Sequence, residues 1–156
     1  AKRLKDRQII SVTPSLRAAL ALARGKGIVY LTGGMLNKDG INLCGEYAQT
    51  AIRGFYADKA FITCASVNLQ GEMCEYSEEE ITIKRLLIEH AKRVYLLLEA
   101  DKFGMSKFFR SEHLKRVSEI ITDRNLPSSY QTLIDRYGIQ LHVLEGCADR
   151  TEQTEE

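Results

Sequence analysis

The segment IVYLTGGMLN, residues 28–37, joins a run of four apolar residues directly to a pair of glycines. Ile28–Leu31 has the length and composition of a buried strand. Because glycine is costly to order, Gly33 and Gly34 indicate either a backbone at positive φ or main-chain N–H groups that must stay accessible. A tight turn meets the first requirement and a backbone cradle for an anion meets the second.

Short apolar runs alternate with amphipathic stretches on both sides of this segment. This alternation predicts an α/β fold with a mostly parallel sheet flanked by helices. The predicted strands are Gln8–Val12, Gly27–Leu31, Lys59–Ala65, Arg93–Leu98, Glu119–Thr122 and Ile139–Leu144. The predicted helices are Ser15–Arg24, Glu46–Tyr56, a stretch from the capping box at residues 77–80 to about Lys92, and Pro127–Tyr137, which Gly138 stops.

The length and the two ends of the chain suggest its domain organisation. A chain of 156 residues with 44% hydrophobic content fits one domain with its own core, predicted over residues 1–145. Residues 146–156 are polar enough to be predicted as a disordered tail. The opening AKRLKDR reads as the end of a helix that enters the first strand. The domain is therefore predicted to be incomplete at its N-terminus, with the opening strand of the sheet missing.

Composition excludes several classes of function. The 22 basic and 21 acidic residues give a formal net charge of +1, so phosphate recognition must be local rather than the work of a basic field. No apolar run reaches the ~20 residues of a membrane span, so we expect a cytoplasmic protein without membrane contact. The cysteines lack the spacing of a zinc site and fit buried reduced thiols, and neither GxGxxG nor GxxxxGK[ST] occurs, so no metal or cofactor is predicted. The cysteines are Cys44, Cys64, Cys74 and Cys147.

Three uncharged motifs are candidates for anion binding. In SVTPSL, residues 11–16, Thr13 is a favoured N-cap and Pro14 a favoured first helical residue, so free N–H groups converge there. The Gly33–Gly34 pair follows a strand at the carboxyl edge of a parallel sheet, where such folds bind ligands. Gly45 opens the next helix. Each motif also has a purely structural reading, as an ordinary cap or turn.

Two charged motifs lie near strand ends. Asp58 and Lys59 precede an apolar strand and can be either ligand contacts or a solvated strand entrance. Glu99, Asp101 and Lys102 follow the strand Arg93–Leu98, where a carboxylate beside a lysine can hold sugar hydroxyls and phosphate together. Lys84, within a predicted helix, is either a ligand contact or a surface lysine. No Ser/His/Asp or Cys/His arrangement is visible, so no catalytic residue is predicted.

The order of the motifs is more specific than any one of them. The chain carries T-P-S-L, L-T-G-G-M-L, L-C-G-E-Y-A, A-D-K-A-F-I, I-K-R-L, E-A-D-K-F-G and I-I-T-D-R-N-L-P in that sequence. This order, over about residues 4–144, resembles the C-terminal effector-sensing domain of DeoR-family transcriptional repressors. The resemblance implies the fold of ribose-5-phosphate isomerase and coenzyme A transferases, a phosphorylated sugar or similar anionic metabolite as effector, a homo-oligomer, and DNA binding by a separate winged-helix domain.

The resemblance also carries roles onto positions of this chain. The family's T-N-S turn falls on Thr13, Pro14 and Ser15, its G-G turn on Gly33 and Gly34, its aspartate-lysine strand entrance on Asp58 and Lys59, its helix lysine on Lys84, and its D-x-x-K motif on Glu99 and Lys102. Thr63 and Ser66 stand where the family usually has glycine. The family's G-T-T phosphate loop would lie upstream of Ala1.

These observations lead to one interpretation and two alternatives. We expect a non-catalytic effector-sensing domain whose ligand residues surround one cleft at the carboxyl edge of the sheet: Thr13, Gly33, Gly34, Asp58, Glu99 and Lys102. An enzyme resembling sugar-phosphate isomerases is the first alternative, because a carboxylate near a lysine is the minimum acid–base apparatus. An oligomerisation module that has lost ligand binding is the second.

Overall fold

The structure, a computed structural model, describes Leu4 and residues 6–144, so the predicted tail, Cys147 and most of AKRLKDR lie outside the described residues. Eleven strands and four α-helices occur in the described part of the chain. In chain order they are β1 Ile10–Thr13, α1 Leu16–Ala23, β2 Ile28–Leu31, β3 Met35–Asn37, β4 Asn42–Cys44, α2 Glu46–Arg53, β5 Ala57–Ile62, β6 Ser66–Val67, β7 Glu72–Glu75, α3 Glu78–Glu89, β8 Ala91–Leu97, β9 Phe109–His113, β10 Glu119–Thr122, α4 Gln131–Tyr137 and β11 Gln140–Val143.

The chain divides into two compact units. The first contains the chain up to Ala57 together with Thr82–His90, and the second contains Asp58–Ile81 and the chain from Ala91 onward. Helix α3 therefore begins in the second unit and ends in the first.

The first unit combines a parallel strand pair with a hairpin and helices. Strands β1 and β2 pair in parallel from Ile10 opposite Ile28 to Thr13 opposite Leu31. Strands β3 and β4 form an antiparallel hairpin. One apolar side of α2 packs against α3 because their buried residues recur at helical spacing. The cluster consists of Cys44, Ala48, Ile52, Ile83 and Leu86, with the half-buried Leu87 beside it.

The second unit contains the larger sheet. Its strand order is β11-β10-β8-β5, and β10 pairs in parallel with both β8 and β11. The buried apolar residues of this sheet include Ala60 and Ile62 of β5, Val94, Tyr95 and Leu96 of β8, and Ile120 of β10. A separate antiparallel sheet has the order β6-β7-β9. This unit therefore supplies the parallel carboxyl ends at which α/β proteins bind ligands.

The predicted α/β fold with a mostly parallel sheet is confirmed, and all six predicted strands and four predicted helices occur. The short strands β3, β4, β6, β7 and β9 were missed. Several boundaries were wrong, including those of α4, α2 and α3. The helix predicted from Pro127 begins at Gln131, because residues 128–130 form a 3₁₀ turn. Helix α2 stops at Arg53, with Gly54 as its cap. Strand β8 begins at Ala91, so α3 ends before Lys92.

Several local predictions agree with the structure. The Ser77 hydroxyl accepts a hydrogen bond from the Glu80 N–H at 3.4 Å, as in a capping box. Gly138 caps α4 with φ 64° and ψ 32°, the left-handed conformation in which glycine avoids a steric penalty. The three cysteines in the described part of the chain, Cys44, Cys64 and Cys74, are buried, as predicted.

Candidate functional site

The paired glycines at the end of β2 serve two different purposes. Both have positive φ, 74° at Gly33 and 106° at Gly34. A Cβ on Gly34 would lie 2.4 Å from the Cys44 carbonyl oxygen and 3.2 Å from the Ala48 nitrogen, whereas a Cβ on Gly33 would meet nothing within 4 Å. Gly34 is thus required by the close approach of β4 and α2. Gly33 is an exposed turn residue whose surroundings are open.

The turn between β1 and α1 differs from the prediction. Thr13 is the last residue of β1, and its Oγ1 accepts a hydrogen bond from the Ser15 N–H at 3.1 Å. Ser15 is the N-cap, because its Oγ accepts from the Ala18 N–H at 3.3 Å and the helix starts at Leu16. The prediction of Thr13 as N-cap and Pro14 as first helical residue was therefore wrong. Pairing of β1 with β2 keeps Thr13 extended and moves the cap two residues along.

Backbone contacts bring these uncharged motifs together within the first unit. The Thr32 N–H donates to the Thr13 carbonyl at 3.2 Å, and the Leu43 N–H donates to the Pro14 carbonyl at 2.7 Å. Gly45 is the N-cap of α2 and has φ 83°. A Cβ added to Gly45 would lie 3.9 Å from the Cβ of Met35, which is an ordinary van der Waals contact. The predicted residues lie in neighbouring segments of the first unit, at or after the ends of β1, β2 and β4: Thr13, Pro14, Ser15, Gly33, Gly34 and Gly45. The polar groups that they offer are amides and hydroxyls.

Lys84 belongs to the part of α3 that lies in the same unit. It is half-buried, and the neighbouring Ile83 packs into the core with Ala48 and Ile52 of α2. Lys84 therefore stands beside the core contact of its helix, as a lysine with a partly buried stem does.

The charged motif of the second unit lies at the carboxyl end of β8. Glu99 precedes a 3₁₀ turn formed by Ala100–Lys102. Lys102 Nζ lies 3.3 Å from Glu99 Oε2, and the two side chains are 42% and 67% exposed. The predicted pair is therefore an ion pair on a tight turn, open to solvent.

Two residues that were not predicted as site residues complete this cluster. Asp123 and Arg124 follow β10, and the parallel pairing of Leu97 with Ile121 brings them beside the turn. Asp123 Oδ1 accepts a hydrogen bond from the Ala100 N–H at 2.7 Å. That bond, and secondarily the charge of Arg124, lowers the pKa of Asp123 below its ordinary value. The sequence ITDR offered a signal, because it too follows a predicted strand.

Arg124 is held by two carboxylates. Its NH2 lies 2.5 Å from Asp101 Oδ2, and its Nε lies 3.4 Å from Asp123 Oδ2. We name this group, made of Glu99, Asp101, Lys102, Asp123 and Arg124, the charged cluster. It places two cations and three carboxylates at the ends of two adjacent parallel strands.

A buried tyrosine fixes the far end of the turn. The Tyr130 hydroxyl accepts from the Gly104 N–H at 2.7 Å and donates to the Val67 carbonyl at 2.9 Å. The Phe103 ring meets the Tyr130 ring edge to face, with centroids 5.1 Å apart. Burial raises the pKa of Tyr130 above its ordinary value. The segment after Lys102 is thereby anchored to β6.

Asp58 and Lys59 lie elsewhere in the second unit. They are exposed residues inside β5, which begins at Ala57, so their prediction as a strand entrance was wrong by two residues. Both residues belong to the strand that lies next to β8 in the sheet. The Lys59 ammonium lies 5.7 Å from the centroid of the Tyr95 ring, in the middle of β8. Lys59 therefore does not join the charged cluster.

The sheet face that carries Tyr95 also holds an ion-pair network. Glu119 accepts from Arg93 NH2 at 2.7 Å and contacts His142 Nε2 at 2.8 Å. Burial raises the pKa of Glu119, but the hydrogen bonds from Tyr95 and His142 and the charge of Arg93 outweigh it, so the pKa lies below its ordinary value. The network ties three strands together.

The described residues also bear on metal binding and on membrane insertion. Across the described residues no group of three or more His, Cys, Asp or Glu side chains is arranged to hold a metal ion. None of the helices in the described part of the chain has the length and apolar character to span a bilayer.

Comparison with known proteins identifies the family. The model of the DeoR C-terminal sensor domain matches residues 1–124. The HTH-type transcriptional repressor GlcR of Bacillus subtilis strain 168 is 32% identical over 146 residues, which cover 93% of this chain and 56% of that protein. The HTH-type transcriptional regulator GlpR of Haloferax volcanii is 28% identical over 144 residues, or 92% of this chain and 56% of that protein.

The chain thus spans about half the length of the curated relatives it matches. The family match covers most of the chain and includes Gly33, Gly34, Gly45 and the charged cluster up to Arg124. It also confirms the resemblance inferred from the order of motifs and the fold class that this resemblance implied. The chain therefore belongs to the family of DeoR C-terminal sensor domains.

Proposed function

We propose that this sensor domain binds a phosphorylated sugar or a similar small anionic metabolite and thereby controls a DNA-binding winged-helix domain of a longer, cytoplasmic, homo-oligomeric regulator. The relatives are named as transcriptional regulators or repressors, which favours regulation over catalysis. The proposed domain has no catalytic step of its own. The isomerase alternative and the oligomerisation alternative are not favoured by this family match.

The observation that carries the ligand class is the Glu99–Lys102 turn with Arg124 beside it. Carboxylates accept hydrogen bonds from sugar hydroxyls, and ammonium and guanidinium groups bind phosphate through charge-assisted hydrogen bonds. Glu99 Oε2 and Lys102 Nζ lie 3.3 Å apart, so one sugar phosphate can contact both the carboxylate and the ammonium group. We assign Lys102 to the phosphate and Glu99 to a hydroxyl.

The uncharged residues are proposed contacts of a different kind. Gly33 and Gly45 have positive φ and open surroundings, which allow their backbone to approach an anion. Thr13 and Ser15 already use their hydroxyl oxygens in local hydrogen bonds, and each still has a proton to donate. The other predicted contacts, Pro14, Gly34, Asp58, Lys59 and Lys84, remain predictions.

The test is calorimetric titration at low salt with inorganic phosphate, pentose phosphates and hexose phosphates, comparing wild type with Lys102→Ala. Lys102 is 42% exposed, so the expected loss is about tenfold, the lower end for a charge-assisted contact. Lys115→Ala, which removes an exposed lysine from the same unit, is the control and should bind as wild type does.

Two results would contradict the proposal. Equal affinity of wild type and Lys102→Ala would remove Lys102 from the ligand site. Isomerisation of a pentose phosphate that disappears in Glu99→Gln would assign the turn to an enzyme instead.

A further inference from the structure

The charged cluster has a net charge that does not suit an anionic ligand. Lys102 and Arg124 supply two positive charges, whereas Glu99, Asp101 and Asp123 supply three negative charges, so the sum is −1. A dianionic phosphate approaching this cluster meets repulsion as well as attraction. Binding is favourable only where a carboxylate gives up its cation to the ligand.

The two carboxylates on Arg124 are not equivalent. Asp123 is 32% exposed and is fixed by the Ala100 N–H at 2.7 Å and the Thr122 hydroxyl at 3.3 Å. Asp101 is 75% exposed, and its contact with Arg124 is the one side-chain ion pair it makes among the described residues. Exposed pairs of this kind are weak, since water solvates both partners when they separate. Asp101 is therefore the carboxylate that can leave.

The geometry of Arg124 survives that departure. Asp123 contacts Nε and orients the planar guanidinium, while Asp101 contacts the terminal NH2. With Asp101 turned away, the terminal nitrogens present their N–H groups at the end of β10, a fork that matches two phosphate oxygens. Arg124 is thus positioned by one carboxylate and blocked by the other.

We propose that Asp101 is an internal competitor of the ligand. In the absence of an anion it occupies the guanidinium of Arg124, and a phosphate group displaces it and takes its place. Arg124 is then a second phosphate contact beside Lys102. This inference rests on the proposed function of the cluster, and it changes the role predicted for Asp101 from ligand contact to competitor.

The consequence is opposite in sign to the usual effect of a site mutation. Removing the carboxylate charge in Asp101→Asn should strengthen binding of inorganic phosphate and sugar phosphates by about two- to fivefold, the equilibrium equivalent of one exposed ion pair. Arg124→Gln should weaken binding by about tenfold. In the double variant the gain from Asp101→Asn should vanish, because the competitor acts only through Arg124.

The experiment is calorimetric titration of these three variants and wild type with inorganic phosphate at low ionic strength, where charge effects are least screened. Glu79→Gln is the matched control, since it removes an exposed carboxylate from the same unit at the start of α3 and should leave affinity unchanged. A pentose phosphate is titrated in parallel. A sugar-hydroxyl contact of Asp101 would appear as a loss with that ligand alone.

The outcomes separate the two proposals. Phosphate binding by wild type that is unchanged or weaker in Asp101→Asn overturns the competitor and leaves the sensor intact. A gain in phosphate affinity that persists when Asp101→Asn is combined with Arg124→Gln also overturns it. The gain would then come from the removal of a negative charge and not from the release of Arg124. No binding by wild type or any variant overturns both proposals.

Discussion

The two units offer their predicted ligand residues in different chemical forms. In the first unit they are backbone amides, glycines and hydroxyls, tied to one another by main-chain hydrogen bonds such as Leu43 N–H to Pro14 C=O. In the second they are charged side chains, and those that follow β8 lie exposed on a turn and form ion pairs. Backbone groups can be repositioned only by changing the local fold, whereas an exposed charged side chain on a turn can be replaced with little effect on the fold. Mutations should therefore affect stability in the first unit and affinity in the second.

The largest effect is expected at Gly34. Alanine there must hold a positive φ and place its Cβ against the Cys44 carbonyl, so Gly34→Ala should cost about 2–5 kcal/mol of unfolding free energy. Gly33→Ala has the same type of backbone strain and open space, so it should cost about 1 kcal/mol. Urea unfolding followed by circular dichroism compares the two. Equal losses of unfolding free energy in the two variants would show that positive φ alone, without the contact to β4, accounts for both glycines.

A smaller loss is expected in the second unit at Tyr130. Tyr130→Phe keeps the ring packing and removes a hydroxyl that bonds to Gly104 and Val67, which should cost about 1 kcal/mol. The Gly104 N–H retains the Val67 carbonyl at 2.8 Å, and this limits the loss. Tyr137→Phe, on the neighbouring helix α4, is the control and should be neutral. A loss no greater than that of the control would mean that the hydroxyl does not hold the turn.

The smallest effect is a pH dependence at the half-exposed sheet face, where solvent screens the partners Arg93 and His142. The pKa of Glu119 is lowered on folding, so its contribution to stability is present above the ordinary glutamate pKa and is lost as pH falls through the folded value. Wild-type stability should therefore decline below about pH 4.5.

Glu119→Gln should be less stable than wild type at neutral pH and should show a flatter decline in acid, in urea titrations between pH 3 and pH 7. Glu89→Gln, an exposed glutamate at the end of α3, should keep the full decline. An identical loss of stability in acid in all three proteins would show that Glu119 does not cause the pH dependence.

Local composition and spacing were sufficient for the helices and the parallel strands, because those elements coincide with amphipathic stretches and apolar runs of the sequence. They were insufficient for β3, β4, β6, β7 and β9, which are set by pairing partners: β6 has two residues, and β9 pairs with β7 from more than thirty residues away. The same reason explains Thr13. Threonine and serine both favour N-caps, and only the pairing of Thr13 with Leu31 selects Ser15.

The candidate site shows the same division. Glycines at positive φ were predictable from composition, since few other residues tolerate that conformation. Glu99 and Lys102 were predictable because both follow one strand. Asp123 and Arg124 were not recognised as their neighbours, because the register of β8 against β10 is a long-range property. Lys59 was predicted at the entrance of a strand, but it lies inside β5, and its ammonium group is near the Tyr95 ring on a face of the sheet.

The Tyr130 hydroxyl also bears on when the charged turn acquires its shape. Tyr130 is 63 positions from Val67 and 26 positions from Gly104 in the sequence, so both hydrogen bonds require long-range order. Chains are synthesised from the N-terminus, and Lys102 therefore leaves the ribosome before the tyrosine that anchors its turn. The turn that we propose as a ligand contact is therefore expected to take its final shape late in folding, and slow amide exchange at Gly104 would report when it does so.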